Sequence, residues 1–168
     1  ITIVDLTELE EVASWSGRIP PDIVAEKAIG YAHLYSNKKF PVMIVPEMNS
    51  IGLALVNRLN REPSDYTRIY RREEFDKKTG VKSEKEGWRT SRQSKALLIS
   101  RFQELLRLAD PKIRSRATVE QFKSFVWTDE AKKSGAGGER GFHDDRVISA
   151  MLAFWEKGPV IAGSISRG

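Results

Sequence analysis

The chain has 168 residues, enough for one domain with a full core. It has no cysteine and only two histidines, which excludes disulfides, zinc–thiolate sites, cysteine nucleophiles and a histidine-rich metal centre. Basic residues number 28 against 23 acids, giving a charge of +5 and a pI near 9.5, a balance compatible with a polyanionic partner. Any metal would therefore be a hard ion held by oxygen, Mg²⁺ or Mn²⁺. No apolar run approaches the roughly 18 residues of a membrane span, so no membrane partner is expected. The chain begins at Ile1 inside a strand pattern, and it is expected to be a piece of a larger protein.

Ile1 to Val4 is β-branched and predicts a strand. Asp5-Leu6-Thr7-Glu8 predicts a turn, and Glu11 to Trp15 a second strand of the same hairpin. Pro20-Pro21-Asp22 opens a helix with Ile23, Val24, Lys27, Ala28, Tyr31 and Leu34 on one face. His33 on that helix reads as structural. Val42 to Val45 is an apolar run between prolines, the pattern of a central strand buried on both faces. Glu47 stands just past its end. Asn49-Ser50 caps a helix from Ile51 to Leu59, and Tyr66 to Tyr70 makes the next strand.

Arg71 to Gly87 is charge-dense and predicts an exposed loop or a hairpin turning at Thr79-Gly80. Thr90 or Ser91 caps a long helix ending near Ala109, with Leu97, Leu98, Phe102, Leu105 and Leu106 at helical spacing. Asp110-Pro111 stops it. Lys112 to Arg114 predicts a short edge strand, Thr118 to Phe125 a helix capped by Thr118, and Phe125 to Trp127 a last strand. A glycine-rich loop, Ser134 to Gly141, follows. The tail from Gly158 is expected to fray. The order implies an α/β fold: a mixed central sheet with helices on both faces, in one domain over residues 1–168.

Phe142 to Trp155 places His143, Asp144 and Asp145 where the glycine loop enters an apolar helix. Val147, Ile148, Met151, Leu152 and Trp155 share one face of it. An aspartate there either caps the helix or faces a divalent ion. Glu47 is the candidate partner carboxylate, since open α/β sheets bind ligands at the carboxyl ends of their strands. Its alternative role is a strand-end charge that helps cap the next helix.

Three segments carry a family resemblance: Val45-Pro46-Glu47-Met48-Asn49-Ser50-Ile51-Gly52, Gly87-Trp88-Arg89-Thr90 and Phe142-His143-Asp144-Asp145-Arg146-Val147-Ile148-Ser149-Ala150. In that order they resemble the nuclease domain of large terminase subunits, the DNA-packaging motors of tailed bacteriophages. The resemblance extends to about Trp155. It implies an RNase H-like fold, related to RuvC-like resolvases and retroviral integrases. It implies an endonuclease cutting concatemeric double-stranded DNA in the host cytoplasm, with Mg²⁺ or Mn²⁺ at a two-metal site. The implied partners are the ATPase motor domain, the small terminase subunit and the portal protein. No phosphate-binding Gly-x-x-x-x-Gly-Lys-Ser/Thr loop of a motor domain occurs in this chain.

Carried over by position, Glu47 matches the family's second metal-binding acid and the Asp144-Asp145 pair its third. Asp145 is favoured as inner ligand, with Asp144 as cap or second ligand. His143 lies beside them, as an orienter or as a hydrogen-bonded loop residue. Ser149 holds a position where resolvases carry a further acid. The family's first aspartate is expected on a strand ahead of Ile1, which leaves Asp5 as a turn residue; the alternative is Asp5 itself. Candidate DNA contacts are Arg71, Arg72, Lys77, Lys78, Lys82 and Lys85 in the hairpin, and Lys132, Lys133 and Arg140 flanking the glycine loop. Such side chains bind phosphates without reading sequence. Two other readings stand beside this one: a resolvase- or transposase-type nuclease, and a non-catalytic basic DNA-binding module.

Overall fold

A computed structural model describes residues 1–36, 39–48, 52–61, 64–75, 80–126, 137–138 and 144–156. It is a mixed α/β structure that divides into two compact units, Gly17–Thr90 and the remainder. No helix among the described residues is long and apolar enough to cross a membrane.

The first unit opens with a hairpin. Strands β1 (Thr2–Asp5) and β2 (Glu10–Ser14) pair antiparallel, with a bulge between Ile3 and Val4. The turn is built by Asp5, whose Oδ1 accepts from the backbone N–H of Thr7 at 2.7 Å and of Glu8 at 3.3 Å. Lys112 joins the far side of β2: its N–H donates to Leu9 O and its carbonyl accepts from Glu11 N, both at 2.8 Å. This is the expected edge segment, reduced to a bridge.

Asp5 is thus a turn residue. The Thr7 and Glu8 amides hold its carboxyl below the usual carboxylate range. A depressed folded value stabilises the fold above the unfolded value near 3.9, and that contribution fades as pH falls through the folded value. Asp5→Ala is therefore expected to lower the melting temperature at neutral pH and to lose that effect in strong acid. Asp5→Asn keeps an acceptor oxygen and is expected to change it little. An equal loss for Asp5→Ala at pH 7 and pH 2 would contradict the turn assignment.

In the same unit, helix α3 (Arg92–Ala109) follows an N-cap at Ser91, and Ser91 and Ser94 form a reciprocal capping box. Asp110 ends it in the left-handed conformation, φ 47°. Helix α4 (Arg116–Lys123) is capped by Ser115, not by Thr118. Thr118 is instead buried, and its N–H donates back to Ser115 Oγ. Strand β7 (Phe125–Val126) pairs antiparallel with β8 (Gly137–Gly138).

Helix α5 (Asp145–Ala153) is the core helix of the unit. It buries Val147, Ile148, Met151 and Leu152, as its periodicity predicts, and Ala150 besides; Trp155, expected on the same face, is half-buried. Helix α3, which buries Leu98, Ile99, Phe102 and Leu105, packs against α5. The ring of Phe102 stacks on Phe122 at 5.4 Å and tilts against Phe154 at 5.8 Å. Leu97 and Leu106 are exposed, so the buried stripe of α3 turns toward Ile99 relative to the one expected from leucine spacing. Periodicity fixes the spacing of such a stripe; the neighbouring helix decides its centre.

The second unit holds helix α1 (Pro21–Tyr35) and helix α2 (Gly52–Arg61), which pack together. The face of α1 also differs from expectation. Ile23 and Leu34 are exposed, while Ala25 and Ala32 are buried. Methyl side chains on that row let a second helix approach closely, where larger residues would hold it off. His33 is a structural side chain, edge-on to Tyr66 and hydrogen-bonded to Ser64 Oγ.

Strands β3 (Val42–Ile44) and β4 (Thr67–Ile69) run parallel, and the chain between them contains α2, the crossover that parallel pairing requires. Met43 is exposed, so β3 is not the doubly buried strand its apolar run implies. The charged segment forms the expected hairpin, β5 (Arg71–Phe75) against β6 (Lys82–Glu86). The described strands thus pair in four two-stranded ladders.

Candidate functional site

Glu47 is positioned by the return of the charged hairpin. Gly87 N donates to Tyr70 O, which brings the chain back beside β4. Trp88 then pairs with the segment after β3: Trp88 N donates to Pro46 O at 2.7 Å, and Met48 N donates to Trp88 O at 2.6 Å. The indole is buried and tilts against the Tyr70 ring, so Trp88 is a packing residue. This pairing carries Thr90 alongside Glu47, and Thr90 Oγ1 donates to Glu47 Oε1 at 2.5 Å. Thr90 therefore does not cap α3. Its hydroxyl orients a carboxylate 43 residues earlier in the chain.

Two glycines make that geometry possible. A Cβ on Gly52 would stand 2.1 Å from the Glu47 carbonyl oxygen. A Cβ on Gly87, at φ +71°, would meet Met48 Cγ at 2.5 Å and Pro46 O at 2.8 Å. Residues 49–51, between Glu47 and α2, lie outside the described residues, and so does the expected cap at Asn49-Ser50.

In the other unit, Asp144 and Asp145 open α5 but behave differently. Asp144 occupies the N-cap position, yet its side chain makes no capping hydrogen bond. It accepts instead from Lys95 Nζ of α3 at 2.7 Å, an ion pair with side-chain exposures of 16% for Lys95 and 27% for Asp144. The ammonium also lies 5.8 Å from the centre of the Phe125 ring. The amide that a cap would satisfy goes elsewhere: Arg146 N donates to Gln121 Oε1 of α4 at 3.0 Å. One turn on, Ser149 Oγ shares a hydrogen bond with Thr2 Oγ1 of β1 at 2.9 Å. Asp145 is exposed in the first turn, and its side chain makes no hydrogen bond or ion pair among the described residues.

The oxygen donors at Glu47 and Asp145 fit a hard divalent ion. Asp144 fits one poorly, because a lysine ammonium already takes its charge. Among the described residues no three histidine or carboxylate side chains form a metal-holding group. Glu47 belongs to one unit and the aspartates to the other. His143 lies outside the described residues.

The hairpin is exposed, but its strand charges cancel. Arg71, Arg72, Lys82 and Lys85 stand against Glu73, Glu74, Glu84 and Glu86. Arg71 pairs with Glu84 and Glu86. Arg72 donates to the carbonyls of Glu86 and Gly87, both at 2.8 Å, and to Glu74, whose carboxyl it holds below the usual range. It is a structural residue at the base of the hairpin. Lys82 is only loosely held by Glu73 at 3.9 Å, with both side chains exposed. Phe75 is exposed. Lys77, Lys78, Lys132, Lys133 and Arg140 fall outside the described residues.

Sequence reading missed Lys95, Gln121 and Thr90. Lys95 and Gln121 sit on helices with no motif around them. Thr90 was legible only as a rival to Ser91 for the cap of α3. No protein-family model matches the chain, and no curated protein or solved structure matches it.

Proposed function

We propose that this chain is the nuclease part of a terminase-type DNA-packaging protein, with an RNase H-like fold, which cuts double-stranded DNA with Mg²⁺ or Mn²⁺. One observation supports this most. Two of the three segments that carry the resemblance, about forty residues apart, are joined by backbone pairing, and the join places Thr90 on the Glu47 carboxylate. A charge serving only as a strand-end cap has no need of that orientation. In this reading Glu47 and Asp145 are metal ligands. The ions would activate water and stabilise the leaving oxygen, the work of two-metal nucleases. The motor domain, small subunit and portal partners, the host-cytoplasm location and the role of His143 belong to the same proposal.

Phosphate contact falls to Lys82 and Lys85, with Lys77 and Lys78 between the strands, and to Lys132, Lys133 and Arg140. Arg71 and Arg72 drop behind them, being held by hairpin carboxylates and carbonyls. Replacing Lys77, Lys78, Lys82 and Lys85 with alanine is expected to flatten the salt dependence of DNA binding by up to about one log–log unit per lost contact. An unchanged slope would place the DNA elsewhere. The resolvase-type alternative wants an acid at Ser149, and that side chain is a hydroxyl bonded to Thr2.

The activity test is cleavage of plasmid DNA in Mn²⁺. Cutting that disappears with Asp145→Asn and with Glu47→Gln is expected. Cutting that survives both would end this assignment.

A further inference from the structure

The amino end of α5 is held by side chains from three other elements: Lys95 of α3 on Asp144, Gln121 of α4 on the Arg146 amide, and Thr2 of β1 on Ser149. Adjacent aspartates at a helix start ordinarily compete for the same amides. Here Gln121 takes an amide and Lys95 takes one carboxylate, so among the described residues Asp145 is left with an uncommitted side chain. The Lys95 ammonium sits 2.7 Å from Asp144 Oδ2 and is itself mostly covered, the geometry of a fixed charge-assisted hydrogen bond.

We infer that Lys95 is a positioning residue that keeps Asp144 as its own counter-ion, so that Asp145 is the metal ligand contributed by α5. The inference rests on the metal-dependent reading above and divides its aspartate pair into two roles. Asp144 neutralises a lysine beside the site; Asp145 faces the cation. Lys95 also sets the local charge. With its partner it contributes none, whereas an unpaired ammonium repels a divalent ion and an unpaired carboxylate attracts one.

The test is Mn²⁺ affinity of the whole chain, read from the electron paramagnetic resonance signal of free Mn²⁺, together with melting temperatures without metal. Lys95→Gln is expected to tighten Mn²⁺ binding several-fold while lowering the metal-free melting temperature. Asp144→Asn is expected to weaken binding by leaving the ammonium uncompensated. The double variant Lys95→Gln/Asp144→Asn is expected to return to within a few-fold of wild-type affinity, and Asp145→Asn to lose binding. A double variant as weak as Asp144→Asn alone would show that Asp144 holds the ion and would overturn the inference. The melting temperatures answer separately: the double variant should lose no more than the larger single loss, and additive losses would show that the pair does not interact. Wild-type protein that binds no Mn²⁺ would overturn the metal reading and the ligand assignment with it, even where the melting temperatures still show the Lys95–Asp144 pair.

Discussion

Gly52→Ala is expected to destabilise the second unit by about 2–4 kcal/mol, opposite in sign to the gain of about 0.5–1 kcal/mol that the change brings in an open helix. Gly52 is the first residue of α2, where alanine's helix propensity would help. The obstacle is the Glu47 carbonyl oxygen, 2.1 Å from where the methyl carbon would stand. Backbone is what it meets, so no rotamer change relieves the clash. Either α2 or the Glu47 segment must move, and the Thr90–Glu47 hydrogen bond would be disturbed. Gly87→Ala is expected to cost a similar amount, since it combines a left-handed backbone with contact on Met48 and Pro46. Denaturant unfolding measures both. A Gly52→Ala protein as stable as wild type would mean that the Glu47 segment lies further from α2.

Glu11→Ala is the second large effect, with an expected cost of about 2–4 kcal/mol. Glu11 is only 3% exposed. Its Oε2 accepts from the backbone amides of Arg114 at 2.8 Å and Ser115 at 2.9 Å, just ahead of α4. Alanine leaves those donors buried without this acceptor and opens space beneath the β1–β2 hairpin. Glu11→Gln keeps an acceptor oxygen and is expected to cost about 1–2 kcal/mol, with its amino group entering the place of Oε1, which is buried and has no hydrogen-bond partner among the described residues. Equal losses for alanine and glutamine would assign the effect to charge and not to hydrogen bonding.

Local order was legible in the sequence. The hairpins showed through alternation and turn residues, and α5 through its apolar spacing. The Asp5 turn showed because an aspartate ahead of a polar Thr-Glu pair can bond its own following amides. What failed was direction. In α1 the alanines face inward and Leu34 faces out, because close helix approach favours small side chains there. In β3 an apolar run implied burial on both faces, yet Met43 is exposed.

The site was half legible. Glu47 and the aspartates could be chosen from motif order, but their neighbours could not. Lys95 lies 49 positions from Asp144, and Gln121 lies 25 from Arg146. Contacts over such separations are set by helix packing, and no local pattern announces them. Of the two roles offered for Asp144, cap or second ligand, the side-chain cap is not made, and Gln121 accepts from the Arg146 amide instead.

The most direct measurement of the central claim is the melting temperature of this chain with and without Mn²⁺. Metal that binds the folded site raises it by mass action, by about 5–10 °C at roughly a hundredfold excess over the dissociation constant. Asp145→Asn is expected to remove most of that gain, and Glu47→Gln to reduce it, while Asp5→Asn leaves it intact. A melting temperature indifferent to Mn²⁺, or a gain that persists in full without the Asp145 and Glu47 carboxylates, would contradict metal binding by these residues.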